Sequence, residues 1–201
     1  MKKSLLAVIL AISMTFVGCS AAWVSTFDSI LAAAAPALIN ILQIIAIANG
    51  SPFNANLAAK VNGDAATLKS LASDFANASS ATAPQVCAQL NAEIGVYNQD
   101  LNQILALAQV KDPATQTKIA LLSSLVSGTV AAITAVVPQC QTANAHAFKA
   151  TPPLKVANFI DDYNAILVAK TGNAAVDAKT PKMKLAKHGK LVHILTFDLV
   201  K

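Results

Sequence analysis

Apolar residues recur along most of this chain at spacings of three and four, the period of helices that each bury one face. The clearest run goes from Pro84 to about Val110, where Val86, Leu90, Ile94, Tyr97, Leu101, Ile104, Leu105 and Ala108 share a face. Its other face carries Gln85, Gln89, Asn91, Asn98, Gln99, Asn102 and Gln103. Uncharged amides of this kind can bond a partner or a glycan, although a solvated surface explains them more simply. Asp112-Pro113 then supplies an N-cap and a first-position proline, opening a helix that Pro138 stops. Its buried stripe is predicted as Ile119, Leu122, Leu125, Val126, Val130, Ile133 and Val137. The short connection between these two helices makes them antiparallel.

Before this pair, a helix is expected from Ser25 or Thr26, with Asp28 in its first turn, to Asn49-Gly50, where glycine can take the left-handed cap. From Ile30 to Ala48 it carries no charge. Ser29, Pro36, Asn40 and Gln43 make one narrow polar seam, and Pro36 removes a ladder hydrogen bond. Two readings fit this segment: a transmembrane span, or a central helix buried by its neighbours. Asn40 and Gln43 would need partners in lipid, which favours the buried helix. Ser51-Pro52 is predicted to open the next helical region, interrupted at Asn62-Gly63-Asp64 with Asp64 capping a restart, or else bent there into one helix. Residues 77–84 read as a loop, and Leu154 to Lys170 as a further helix stopped near Gly172.

The C-terminal stretch changes character. Lys190 to Val200 is β-branched and apolar enough for a strand, which Met183 to Lys187 can pair across His188-Gly189. The expected fold is therefore all-α, an antiparallel helical bundle of four to five helices over 25–172, with a short C-terminal β-hairpin or strand in a Lys-rich tail, 173–201.

Met1-Lys2-Lys3 precedes an apolar run, Leu5 to Val17, that is short for a bilayer span and ends in Phe16-Val17-Gly18-Cys19. These residues resemble the lipobox of bacterial lipoproteins, with Phe16 where leucine is usual. The resemblance covers the first nineteen residues only. It implies a signal peptide, 1–18, a lipidated linker, 19–24, and Cys19 as the acylated first residue, anchoring the chain to the membrane. It also implies a place in the bacterial cell envelope, at the outer membrane if the cell is Gram-negative, since Ser20 and not Asp follows the cysteine. An ordinary secretory signal cleaved near Ser20-Ala21-Ala22 would instead discard Cys19. In its abundance of Ala, Leu, Ile and Val the remainder is similar to small Ala-rich lipoproteins of unknown function.

Export changes the meaning of the other two cysteines. Cys87 and Cys140 are the only ones left once Cys19 is acylated, and the antiparallel pair of helices brings them to the same end. A disulfide there would close a long loop, worth about 4 kcal/mol in chain entropy. The alternative is two buried free thiols; neither cysteine has a second cysteine or histidine at metal-ligand spacing.

Charge and motif content narrow the function. The formal charge is +5, and Lys2 and Lys3 leave with the signal, giving +3. Residues 179–201 hold six lysines against Asp198, so the body is slightly acidic and the basic pI describes a tail. There is no arginine, the residue that forks onto phosphate and guanine, so nucleic acid is not an expected partner. Lys182, Lys184, Lys187 and Lys190 form a candidate surface for an anionic membrane or a partner, or else protect a strand edge. Glu93 is the single glutamate, Asp161-Asp162 point about 100° apart on a helix, and His188 and His193 lack metal-pair spacing. No nucleophile elbow, phosphate loop or zinc motif is present. The expectation is no enzyme, no cofactor and no metal. It is a structural or interaction lipoprotein whose partner is an envelope protein or glycan, with a membrane-inserting helix at Ile30–Ala48 and an apolar-ligand-binding bundle as alternatives.

Overall fold

The structure, a computed structural model, describes residues 2–79, 81–136 and 156–180, with side chains described from Val24 onward except at 26, 132 and 134–136. Among the described residues six helices follow one another: α1 (Lys2–Asn49), α2 (Ala55–Asn77), α3 (Ala83–Ala106), α4 (Pro113–Val136), α5 (Val156–Val168) and α6 (Ala174–Lys179). The described residues are all-α, as the periodicity predicts. The expected C-terminal hairpin lies outside them, as do Lys182, Lys184, Lys187 and Lys190.

The first helix is the axis of the bundle. α2, α4, α5, α6 and α3 all pack against it. Phe27, Leu31, Ala34, Leu38, Ile41 and Ile44 are buried in succession, one turn above another. Length and composition would let Phe27–Asn49 cross a membrane, yet 78% of its most apolar stretch is buried inside the bundle. Within this fold the segment is a core helix. The remaining side runs along Ser25, Ser29, Ala32 and Pro36, which are exposed or half-buried. Pro36 sits on this wetter stripe, where water can reach the Ala32 carbonyl that lost its proline-blocked donor.

Two expectations about α1 are corrected. The helix does not begin at Ser25 or Thr26 but runs unbroken from Lys2, because no proline or paired turn residue interrupts it before Pro36. Asp28 is consequently mid-helix and complements no helix N-terminus. Its carboxylate instead lies 3.7 Å from the Lys69 ammonium of α2. The other end is as expected: Gly50 takes φ +61°, and Ser51 N donates to Ala46 O at 2.9 Å to close the last turn.

That closure explains the next difference. Ser51 is spent on ending α1, so Ser51-Pro52 does not open α2. Asn54 caps it instead, accepting from Leu57 N at 3.0 Å. The Asn62-Gly63-Asp64 interruption is likewise absent, and one helix runs through it. A glycine inside a helix costs about 1 kcal/mol relative to alanine. Val61 and Leu68, both fully buried on either side of Gly63, bury enough apolar surface to outweigh that cost.

The connections 50–54, 78–82 and 107–112 are short, so α1 to α4 alternate in direction. On α3 the predicted stripe is buried at Leu90, Ile94, Tyr97, Leu101 and Ile104. Leu105 is an exception at 36% exposure, because α3 ends at Ala106 and not near Val110. α4 buries Ile119, Leu122, Val126, Val130 and Ile133, and Asp112 caps it through Thr115 N at 2.7 Å. α5 then lies against α1 and α4. Residues 174–179, read from sequence as the beginning of the tail, form α6 and pack on α1 through Val176, which is fully buried.

Candidate functional site

The sequence-predicted site residues fare unequally. Cys19 falls within α1, upstream of the described side chains. Cys87 is buried near the start of α3, and Cys140 lies outside the described residues. Asp161 and Asp162 are both exposed on α5, consistent with a solvated face. Gln85, Gln89, Asn98, Gln99, Asn102 and Gln103 are exposed along α3, with Asn91 half-buried. The amide face is therefore an open surface of this fold.

The densest chemistry lies elsewhere, where α2 meets α3. Asp100 is fully buried on α3, one helical turn beyond Tyr97, which is 1% exposed. Across the interface, Lys60 and Asp64 stand four residues apart on α2, so both reach the same level of α3. The Lys60 ammonium lies 2.5 Å from Asp100 Oδ1 and 3.8 Å from Asp64 Oδ2. The bond to Asp100 raises the Lys60 pKa above its ordinary value, against partial desolvation.

One cation faces two carboxyls here, and it does not satisfy both. Asp64 Oδ2, Asp100 Oδ2 and the Tyr97 hydroxyl are all buried without a hydrogen-bond partner among protein donors. Burial and the neighbouring Asp100 carboxyl push the Asp64 pKa up to about 6, while Lys60 pulls it down and Glu93 adds to the rise. Burial also raises the Tyr97 phenol, with the Asp64 charge contributing. A proton on Asp64 turns an acceptor–acceptor clash into a donor–acceptor contact with Asp100.

A second polar knot closes the other side of the bundle. Lys118 on α4 is 4% exposed, and its ammonium donates to Ala169 O at 2.6 Å, just past the end of α5. A cation suits the carbonyls exposed at a helix C-terminus. Burial lowers the Lys118 pKa, partly offset by Asp177. Asp177 on α6 accepts from Thr171 N at 2.8 Å, Thr171 Oγ1 at 2.9 Å and Gly172 N at 3.0 Å, and these bonds hold its carboxyl below the usual range. The knot folds α6 back under Gly172, whose φ of +82° only glycine adopts readily.

Sequence reasoning passed over both groups. The signal for the first was available: Asp100 follows Tyr97 by three on a face otherwise made of Ile94, Leu101 and Ile104. An acid inside an apolar stripe needs a partner. Among the described residues no three His, Cys, Asp or Glu side chains gather as a metal site. Compared with protein-family models, with curated proteins and with solved structures, the chain matches none.

Proposed function

We propose that this chain is a lipid-anchored protein of a bacterial cell envelope that acts as an interaction module through the surface of its helical bundle. The observation that carries the reading is the fate of its most apolar helix. Phe27–Asn49 is already used as the core against which the other helices pack, so attachment to a membrane falls to another element. Cys19, at the end of the lipobox-like Phe16-Val17-Gly18-Cys19, supplies it. Cys19 and Phe27 are eight helical positions apart. At 1.5 Å per residue that is about 12 Å, which holds the bundle close to the lipid surface. The acyl chains, at about 0.8 kcal/mol per buried CH₂, are the anchor. The amide face of α3 is open to an envelope protein or a glycan.

A Cys87–Cys140 disulfide belongs to the same proposal. Cys87 is buried near the start of α3. With Cys19 acylated, Cys140 is the remaining partner, and an exported protein meets the oxidising conditions in which the bond persists.

Intact-mass analysis of the protein produced in a bacterium with its own leader tests both. The expected product begins at Cys19, carries acyl mass, resists alkylation until reduced, and leaves the membrane fraction when Cys19→Ala is introduced. An unmodified chain that keeps Met1, or one that begins after Ala22, defeats the reading. Vesicle leakage by non-lipidated 20–201 would instead favour release of the Ile30–Ala48 helix into a bilayer, which its length and composition permit.

A further inference from the structure

Three uncompensated polar atoms at one level of a helix pair are more than a helical hairpin needs for packing. Apolar residues at Lys60, Asp64 and Asp100 would seal α2 against α3 without any desolvation cost. What the cluster adds is a place for one proton. Asp100 Oδ1 is taken by Lys60 at 2.5 Å, but Asp100 Oδ2 and Asp64 Oδ2 are buried and lack a protein donor. The Asp64 side chain is only 13% exposed and that of Asp100 not at all, so water cannot screen the pair freely. We propose that Asp64 holds a proton that it donates to Asp100, and that its loss loosens the α2–α3 hairpin, making the bundle sensitive to the acidity of its compartment.

The surroundings set where that happens. From α2 the facing charge is Lys60; from α3 they are Asp100, Glu93 and the Tyr97 phenol. α1, which packs on α2, has no ionisable residue between Ile30 and Ala48, and its Asp28 is engaged with Lys69. α4 packs on α3, and its buried cation Lys118 bonds the Ala169 carbonyl instead. With both carboxyls ionised, one lysine faces three acids, and the pair repels across a dry interface. With the proton present, Asp64 donates to Asp100 and the excess charge falls by one. Asp64 with a raised folded pKa of about 6 fits this arrangement.

The sign follows from linkage. An acid whose folded pKa lies above its unfolded value stabilises the fold fully below the unfolded pKa, here 3.8, and loses that contribution as pH rises through about 6. For one such proton the unfolding constant grows about twenty-fold between pH 4.5 and 7. Denaturant unfolding of the mature chain across that range should show the rise, and Asp64→Asn should flatten it. Lys60→Gln removes the one group that pulls Asp64 down, so the transition should move to higher pH, which a merely structural lysine would not do. Amide exchange of unmutated protein, corrected for intrinsic rates, should show residues 60–64 and 97–101 opening more at pH 7 than at 4.5. This last measurement stands even if a variant fails to fold. Equal unfolding constants at the two pH values, an Asp64→Asn variant that titrates like the parent, or unchanged exchange in these segments would overturn the proposal.

Discussion

Tyr163→Phe offers a sharp test of how α5 is seated on the central helix. Tyr163 is fully buried, stacks with Phe159 at a ring-centroid distance of 6.0 Å, and donates its hydroxyl to Ala37 O at 3.0 Å. The hydroxyl also bonds the side chain of Asn40, which is 5% exposed in an otherwise apolar face of α1. Removing one oxygen keeps the ring and its packing. Each of the two hydrogen bonds lost with the hydroxyl costs about 1 kcal/mol net. The expected destabilisation is therefore about 2 kcal/mol, read from urea denaturation of the chain with the slope unchanged. A variant within about 0.5 kcal/mol of the parent would refute the idea that this hydroxyl locks α5 to α1.

Other outcomes follow from the same packing. Leu68→Ala, fully buried on α2 opposite the core, should cost about 2–5 kcal/mol in chemical denaturation. Gln99→Ala on the exposed amide face should stay within about 0.5 kcal/mol in chemical denaturation. Asp177 has a depressed folded pKa, so its contribution is present above pH 3.8 and is lost as pH falls through the lower folded value. Asp177→Ala should therefore remove an acid-side loss of stability and free α6, seen as faster exchange at Thr171 and Gly172. Lys118 carries the same sign of linkage at the alkaline end: with its folded pKa also depressed, below 10.5, stability gains as pH rises from that folded value toward 10.5, and Lys118→Met should abolish the gain in alkaline denaturation curves.

The helical periods were legible because each helix here buries one face, and a buried face writes itself into spacing. Leu90, Ile94, Tyr97, Leu101 and Ile104 on α3, and Ile119, Leu122, Val126, Val130 and Ile133 on α4, lie where the pattern put them. So did the glycine end of α1 and the Asp112 cap, both local matters of backbone conformation and one side-chain bond. Sequence alone could not choose between core and membrane for Phe27–Asn49, since both environments ask for the same apolar cylinder. Only the helices surrounding it decide that. Nor could it choose between Ser51 and Asn54 as the opener of α2, because the choice depends on Ser51 being drawn into the end of α1. The Lys60, Asp64 and Asp100 cluster is the extreme case. Its members lie up to 40 residues apart along the chain, and the charge balance that matters exists only once α2 and α3 are pressed together and water is excluded.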